Sequence, residues 1–286
     1  MKQTLFILFQ HLVPQHLLSR LVGRLAECKT PWVKNFFIRQ FAKKYAINMQ
    51  EALVEEPTAY ENFNAFFTRE LKPDARSIDQ DEDTIVSPAD GAISQLGPIE
   101  HGRIFQAKGR GYGLSTLLGG CEKLAEDFKN GSFATIYLSP RDYHRVHMPL
   151  RGTLRETIYV PGDLFSVNQT TAENVDQLFA RNERHVAIFD TEAGPMAMVL
   201  VGAMIVAGIE TVWEGQVAPP LKQPLRTQYG NAEQLPVTLE KGAEMGRFKL
   251  GSTVVLLFGK DATQWLDELA AKSPVELGKK IGSVRT

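Results

Sequence analysis

The chain has 286 residues, 43% of them hydrophobic and 23% charged, which is enough to bury a sizeable core and ordinary for a folded protein. Its net charge of -1 gives no whole-chain case for a nucleic-acid partner. The two cysteines, Cys28 and Cys121, lack CxxC spacing and so argue against a disulfide framework or a cysteine-built zinc site.

The N-terminal segment reads as three short amphipathic helices. Leu5, Phe6, Phe9, Leu12 and Val13 recur at helical spacing until Pro14. Leu17, Leu18, Leu21, Val22 and Leu25 repeat the pattern beside Arg20 and Arg24, and Phe36, Phe37, Ile38 and Phe41 do so beside Lys34, Arg39, Lys43 and Lys44. Residues 1–50 carry eight basic side chains against the single acid Glu27, so this arm is at +7 and the remainder at -8. No run reaches the ~20 apolar residues needed to span a bilayer. Gln10 and His11 interrupt the first apolar stretch and no small-residue cleavage site follows, so a removable signal peptide is not expected. Two readings stand even on the arm alone: helices packed on the protein's own core, or helices lying in an anionic lipid interface.

The remainder, 51–286, reads as one β-rich body. Residues 51–83 are acidic and look helical around Tyr60–Phe67. Strands are expected at Thr84–Val86, Phe133–Leu138, Glu156–Val160, His185–Asp190, Met196–Val201, Met204–Trp213 and Thr253–Phe258. Ser115–Asn130 and Thr263–Ala271 each read as a helix. The fold class is therefore α+β, with N-terminal amphipathic helices followed by a β-rich catalytic body.

Three segments carry possible chemistry. Ser87-Pro88-Ala89-Asp90-Gly91 is on its own a turn. Leu138 to Pro149 follows an apolar strand and contains His144 and His147; three apart, they share a face in a helical turn and point oppositely in an extended one. Two histidines without a matching acid or cysteine cluster give weak support for a metal, and none is expected. Leu250-Gly251-Ser252-Thr253 runs into the apolar Val254–Phe258 and alone is a weak signal.

Together, and in this order, these pieces resemble the phosphatidylserine decarboxylase family. The carrying residues are Ala89-Asp90-Gly91, Tyr143-His144-Arg145-Val146-His147-Met148-Pro149, Pro161 to Asn168 (Pro-Gly-Asp-Leu-Phe-Ser-Val-Asn) and Leu250-Gly251-Ser252-Thr253. Asn64 to Pro73 and Ile209 to Trp213 are similar as well, so the likeness spans nearly the whole chain. The Leu-Gly-Ser-Thr form and the helical arm resemble the bacterial membrane-associated branch.

The resemblance implies an inactive proenzyme that cuts itself between Gly251 and Ser252. Ser252 is then the nucleophile, His147 its base and Asp90 the group that orients His147, a self-cleavage triad of the kind serine hydrolases use. It implies that Ser252 becomes a covalent pyruvoyl cofactor (pyruvate), leaving a large subunit 1–251 and a small subunit 252–286. The pyruvoyl group is the electron sink for loss of carbon dioxide from phosphatidylserine. His144 is the expected acid for decarboxylation, since histidine titrates near neutrality, and Ser166 is an expected lining residue of the headgroup pocket. The implied setting is the cytoplasmic face of the cell membrane, with peripheral attachment to anionic phospholipid and a homodimeric assembly. Competing readings are a serine hydrolase, which lacks its usual G-x-S-x-G elbow here, a lipid-binding protein without chemistry, and a pyruvoyl decarboxylase of soluble amino acids.

Overall fold

The computed structural model describes residues 2–204, 208–217, 223–230, 235–249 and 252–285, Lys2 and Ser252 through their backbone only. The arm forms α1 (Lys2–Leu12), α2 (Gln15–Ala26) and α3 (Pro31–Tyr45). Pro14 caps the start of α2 and Pro31 opens α3, where a missing amide proton costs nothing. α3 then stops at Ala46, whose φ of 51° is left-handed. Next come a 3-10 turn at Pro57–Ala59 and α4 (Phe63–Phe67), capped by the Asn62 side chain on the Ala65 amide. The helix expected over Tyr60–Phe67 is thus the shorter α4.

The body is built on β1 (Thr84–Val86), β2 (Gly91–Pro98), the hairpin β3 (Arg103–Ala107) and β4 (Arg110–Gly113), then α5 (Leu114–Leu117) and α6 (Glu122–Glu126). β5 (Ser132–Leu138), β6 (Arg145–His147) and β7 (Gly152–Val160) precede α7 (Gln169–Asn174) and α8 (Leu178–Arg181). β8 (Arg184–Thr191), β9 (Gly194–Val201), β10 (Gly208–Thr211), β11 (Gly215–Val217), β12 (Leu225–Gln228) and β13 (Thr238–Leu239) follow. The chain closes through β14 (Glu244–Lys249), β15 (Ser252–Phe258), β16 (Thr263–Trp265), β17 (Pro274–Val275) and β18 (Lys280–Val284).

Among the described residues the main sheet runs β12-β7-β8-β9-β15-β5-β2-β17, with β13 also on β7, and a four-stranded sheet runs β11-β10-β14-β6. β15 lies between β9 and β5 and pairs antiparallel with both. Its side chains alternate between two cores, as a strand's period of two requires. Val255 and Leu257 enter the core under α5, α6 and α8; Val254, Leu256 and Phe258 enter the one closed by Val146, Met245 and Phe248 of the smaller sheet. A third, aromatic cluster of Phe63, Phe66 and Phe67 seats Ile38 and Phe41 of α3 on the body.

Two sequence expectations need correction. Ser115–Asn130 is not one helix, because Gly119 and Gly120 take φ of 78° and 87°, and the chain turns between α5 and α6. Thr263–Ala271 is not a helix either. Thr263–Trp265 pairs with β18 as a strand, and the Trp265 ring packs edge-on to Phe258, so tertiary pairing overrides a helix-like spacing. Of the strand expected over Met204–Trp213, Gly208–Thr211 is strand, and 205–207 lie outside the described residues.

Candidate active site

The backbone of Ser252 begins β15 in register with Leu138, the last residue of β5. Leu250 and Gly251 lie outside the described residues. What flanks them is informative: β14 ends at Lys249 in the smaller sheet and β15 begins at Ser252 in the larger one. The chain therefore changes sheets across this link.

Both expected histidines sit beside the approach to that link. β6 pairs with β14, His147 opposite Glu244 and Arg145 opposite Arg247, and the His144 carbonyl accepts from the Phe248 amide at 3.0 Å. The segment is extended, so the two rings leave on opposite sides. His144 is fully buried and stacks on Phe67, with centroids 4.0 Å apart and planes at 22°. Burial, then the nearby Arg69 charge, push its pKa down to about 3, against the opposing pull of backbone hydrogen bonds at Ser139 and Pro140.

His147 is half-buried. Its Nδ1 lies 2.8 Å from the Gly242 carbonyl and its Nε2 3.3 Å from the Tyr143 hydroxyl. A carbonyl only accepts, so in the neutral ring Nδ1 carries the proton and Nε2 keeps the lone pair. Burial lowers the His147 pKa, partly offset by the Gly242 bond and the Glu244 charge. The result is a neutral imidazole whose basic nitrogen is Nε2.

Asp90 lies just before Gly91, where a Cβ would sit 2.3 Å from the Tyr137 carbonyl oxygen, so only glycine lets β2 approach β5 this closely. Asp90 is buried. Its carboxylate takes Arg76 Nε at 3.0 Å and a second Arg76 nitrogen at 2.7 Å, plus the Leu277 amide at 2.9 Å. Arg76 also reaches Glu51 at 2.9 Å, and the Asp90 bond raises its pKa. The structure does not join Asp90 to His147 by a hydrogen bond. The fork of Arg76 and the Leu277 amide take up the Asp90 oxygens, and Asp90 reaches His147 only as a charge at longer range. Ser252 and the two histidines share one end of the sheets, and Asp90 adjoins them.

Sequence reasoning assigned no role to Arg76, Tyr143, Gly242 or Arg69. Arg69 is buried over the Phe66 ring, 5.9 Å from its centroid, and its Nε lacks a hydrogen-bond partner among the described residues. Arg76 lies in an acidic, turn-rich stretch without periodicity, and Gly242 is far from His147 in sequence, so no local pattern marks either. Tyr143 opens the motif Tyr143 to Pro149, whose pattern marks the histidines and not the hydroxyl.

Ser166 lies in the segment after β7. Asn182 ties this segment down: its Nδ2 donates to the Phe165 and Gly202 carbonyls, both at 2.8 Å, and its Oδ1 takes the Phe165 amide at 3.1 Å. Gly202 follows Val201, the register partner of Thr253. Ser166 therefore belongs to the same end of the main sheet as Ser252. Among the described residues no group of three or more histidines, cysteines or acids is placed to hold a metal ion.

Comparisons with known proteins agree on one family. A family model described as phosphatidylserine decarboxylase matches residues 63–283, and a second, described as PSD, matches residues 5–46. The chain is 65% identical over 282 residues to the phosphatidylserine decarboxylase proenzyme of Pseudomonas fluorescens strain Pf-5, covering 99% of this chain and 98% of that protein. It is 63% identical over 282 residues to the protein of the same name from Azotobacter vinelandii, covering 99% of each. With family motifs and near full-length similarity in agreement, the chain belongs to the phosphatidylserine decarboxylase family and is a decarboxylase.

Proposed function

We propose that this protein is a self-processing, pyruvoyl-dependent phosphatidylserine decarboxylase that works on lipid at an anionic membrane surface, attached peripherally. The observation that carries the reading is the crossing between sheets at 249–252, beside the strand that bears His147.

In this reading His147 Nε2 takes the Ser252 hydroxyl proton, and Oγ attacks the Gly251 carbonyl carbon. The peptide bond becomes an ester. Loss of the Ser252 α-proton and cleavage of the Cβ–O bond free the upstream chain as a carboxylate. Water then replaces the nitrogen of residue 252, which leaves as ammonia. The resulting pyruvoyl group supplies an electron sink for loss of carbon dioxide. The site fits such a group, because Ser252 is in register with Leu138 of β5 and β15 is paired on both sides from Thr253 onward, which supports the first residue without the peptide bond before it.

Asp90 supports His147 through its charge and, through the Leu277 amide, holds the C-terminal segment against the large fragment. His144 delivers a proton to the substrate's α-carbon. Burial and Arg69 keep it neutral in the free protein, and the negative charge of the bound lipid opposes both effects. Ser166 lines the headgroup pocket.

Membrane attachment is supported by the arm's outward face. Leu5, Leu8, Phe9, Leu12, Leu17, Leu21, Trp32 and Phe36 are exposed, Leu12 at 74% and Trp32 at 78%, in a segment rich in lysine and arginine. Among the described residues no helix is long and apolar enough to cross a membrane.

The test is an intact mass under denaturing conditions. Wild-type protein is expected as two fragments, 1–251 and 252–286, the smaller lighter than its sequence by one ammonia. Ser252→Ala is expected as one full-length chain. A folded wild-type protein that stays uncut overturns the proposal.

A further inference from the structure

α1 is an inverted amphipathic helix. Leu5, Leu8, Phe9 and Leu12 face outward, yet the polar Gln10 is 0% exposed. α2 repeats the inversion, with Ser19, Gly23 and Ala26 buried and Leu17, Leu21 and Leu25 exposed. A helix that seeks only to hide apolar surface turns the other way. Burial of Gln10 needs compensation by hydrogen bonds, and it has them.

Those bonds go to alternate residues of the segment that follows β7. The His16 Nε2 lies 3.0 Å from the Gly162 carbonyl. The Leu164 amide donates to Gln15 Oε1 at 2.6 Å, and the Ser166 amide donates to Gln10 Oε1 at 2.8 Å. Gln10 Nε2 donates to Thr171 Oγ1 at 3.2 Å, and Gln15 Nε2 to the Gln10 carbonyl at 2.8 Å, bracing the corner between α1 and α2. The His11 ring packs edge-on to Phe165, centroids 4.9 Å apart. Backbone groups at 162, 164 and 166, which irregular chain leaves without ladder partners, are thus completed by side chains of the arm. Asn182 fixes the other side of the same segment to Gly202, next to the register partner of Thr253.

We infer that Gln10 and Gln15 are positioning residues for the reaction: they make the membrane arm one wall of the headgroup site by holding the Leu164 and Ser166 amides. This rests on the proposed role of the Ser166 segment in binding the phosphatidylserine headgroup. The arm then does two jobs on two faces. Its apolar face meets lipid, and its polar face sets the shape of the segment that receives the headgroup. Lipid seating and site geometry are coupled through one rigid corner.

The test separates this from simple anchoring. Gln10→Leu removes both Gln10 side-chain bonds and leaves the arm at least as apolar. It is expected to process into two fragments and to float with phosphatidylglycerol-containing vesicles as wild type does. Hydrogen exchange at the Ser166 amide is expected to quicken by about tenfold, the value of one lost hydrogen bond. The KM for a dispersed short-chain phosphatidylserine is expected to rise by a similar factor, with kcat little changed. Gln15→Met is expected to act in the same way at the Leu164 amide, and it serves if Gln10→Leu fails to fold. Unchanged exchange at these amides overturns the inference, and so does faster exchange with an unchanged KM. A loss of activity matched by a loss of vesicle binding also overturns it, by reducing the arm to an anchor. Exchange is read on the protein itself, so failure of the decarboxylase reading shows separately, as an inactive wild type.

Discussion

In the proposed self-cleavage, the Gly242 carbonyl holds the place beside His147 Nδ1 that a carboxylate holds in a hydrolase triad. Gly242 fixes the proton on Nδ1, which leaves Nε2 as the only basic position. Because burial lowers its pKa below the ordinary value, His147 stays an unprotonated base through neutral pH and is lost to protonation only in acid. Self-processing of freshly folded precursor is therefore expected to be flat near neutrality and to fall with a midpoint below about 6.5. A midpoint above neutrality, read from fragment appearance against pH, removes His147 as the base. His144 and His185, with pKa pushed down to about 3 and about 4, contribute to the dependence of stability on pH. Both are neutral when folded and take up protons when unfolded below about 6.5. Their contribution is complete above that pH and is lost as pH falls toward the folded values, at about 1.4 kcal/mol per pH unit each. Neither His185 ring nitrogen has a hydrogen-bond partner among the described residues. His185→Leu is expected to fold normally at neutral pH and to lose less Tm between pH 7 and 5 than wild type; equal losses would show that His185 does not titrate there. At this scale the family motifs made His144, His147 and Ser252 legible as residue types in a pattern. The partners were not legible, since Arg76 on Asp90 and Gly242 on His147 depend on which distant turns the fold brings together.

Among elements, β15 has the most demanding role. The proposed cut separates it from β14 yet leaves it between β9 and β5, with Val254 to Phe258 fully buried. Burying these five side chains is worth roughly 10 kcal/mol as an upper figure. The two fragments are accordingly expected to elute as one species from a sizing column and to part only in denaturant. Separation in native buffer would sink the idea that β15 serves as the seat of the new terminus. Leu256→Ala, which hollows one of the two cores, is expected to lower stability by about 2–5 kcal/mol in a denaturant titration. The strand was legible because Val254 to Phe258 is a short, unbroken apolar run, as a strand buried on both faces must be. The helix expected over Thr263–Ala271 failed for the converse reason. Its apolar spacing serves Trp265 packing on Phe258, and its conformation is set by pairing with Lys280–Val284, which lies beyond any window centred on it.

For the molecule as a whole, the arm's periodicity announced an apolar stripe without saying which medium the stripe would face. Only the lopsided charge favoured lipid, and Gln10 and His11 read as interruptions when they are in fact part of the docking face. The orientation now makes a quantitative expectation possible. Exposed leucines and Trp32 contribute apolar area, and each nearby lysine or arginine adds about 1 kcal/mol at an anionic surface. The two contributions separate by salt, because charge attraction is screened within a Debye length and apolar burial is not. Vesicles containing phosphatidylglycerol are expected to bind the protein at low ionic strength and to retain part of it at high salt. The double variant Leu8→Ser, Leu12→Ser is expected to lose the salt-resistant part, weakening binding by about tenfold or more, while still processing into two fragments. Its processing matters to the interpretation, since both leucines are exposed and lie on the face of α1 opposite the buried Gln10. If the double variant binds as tightly as wild type, the exposed stripe does not face lipid, and the inverted helices must be covered by protein instead.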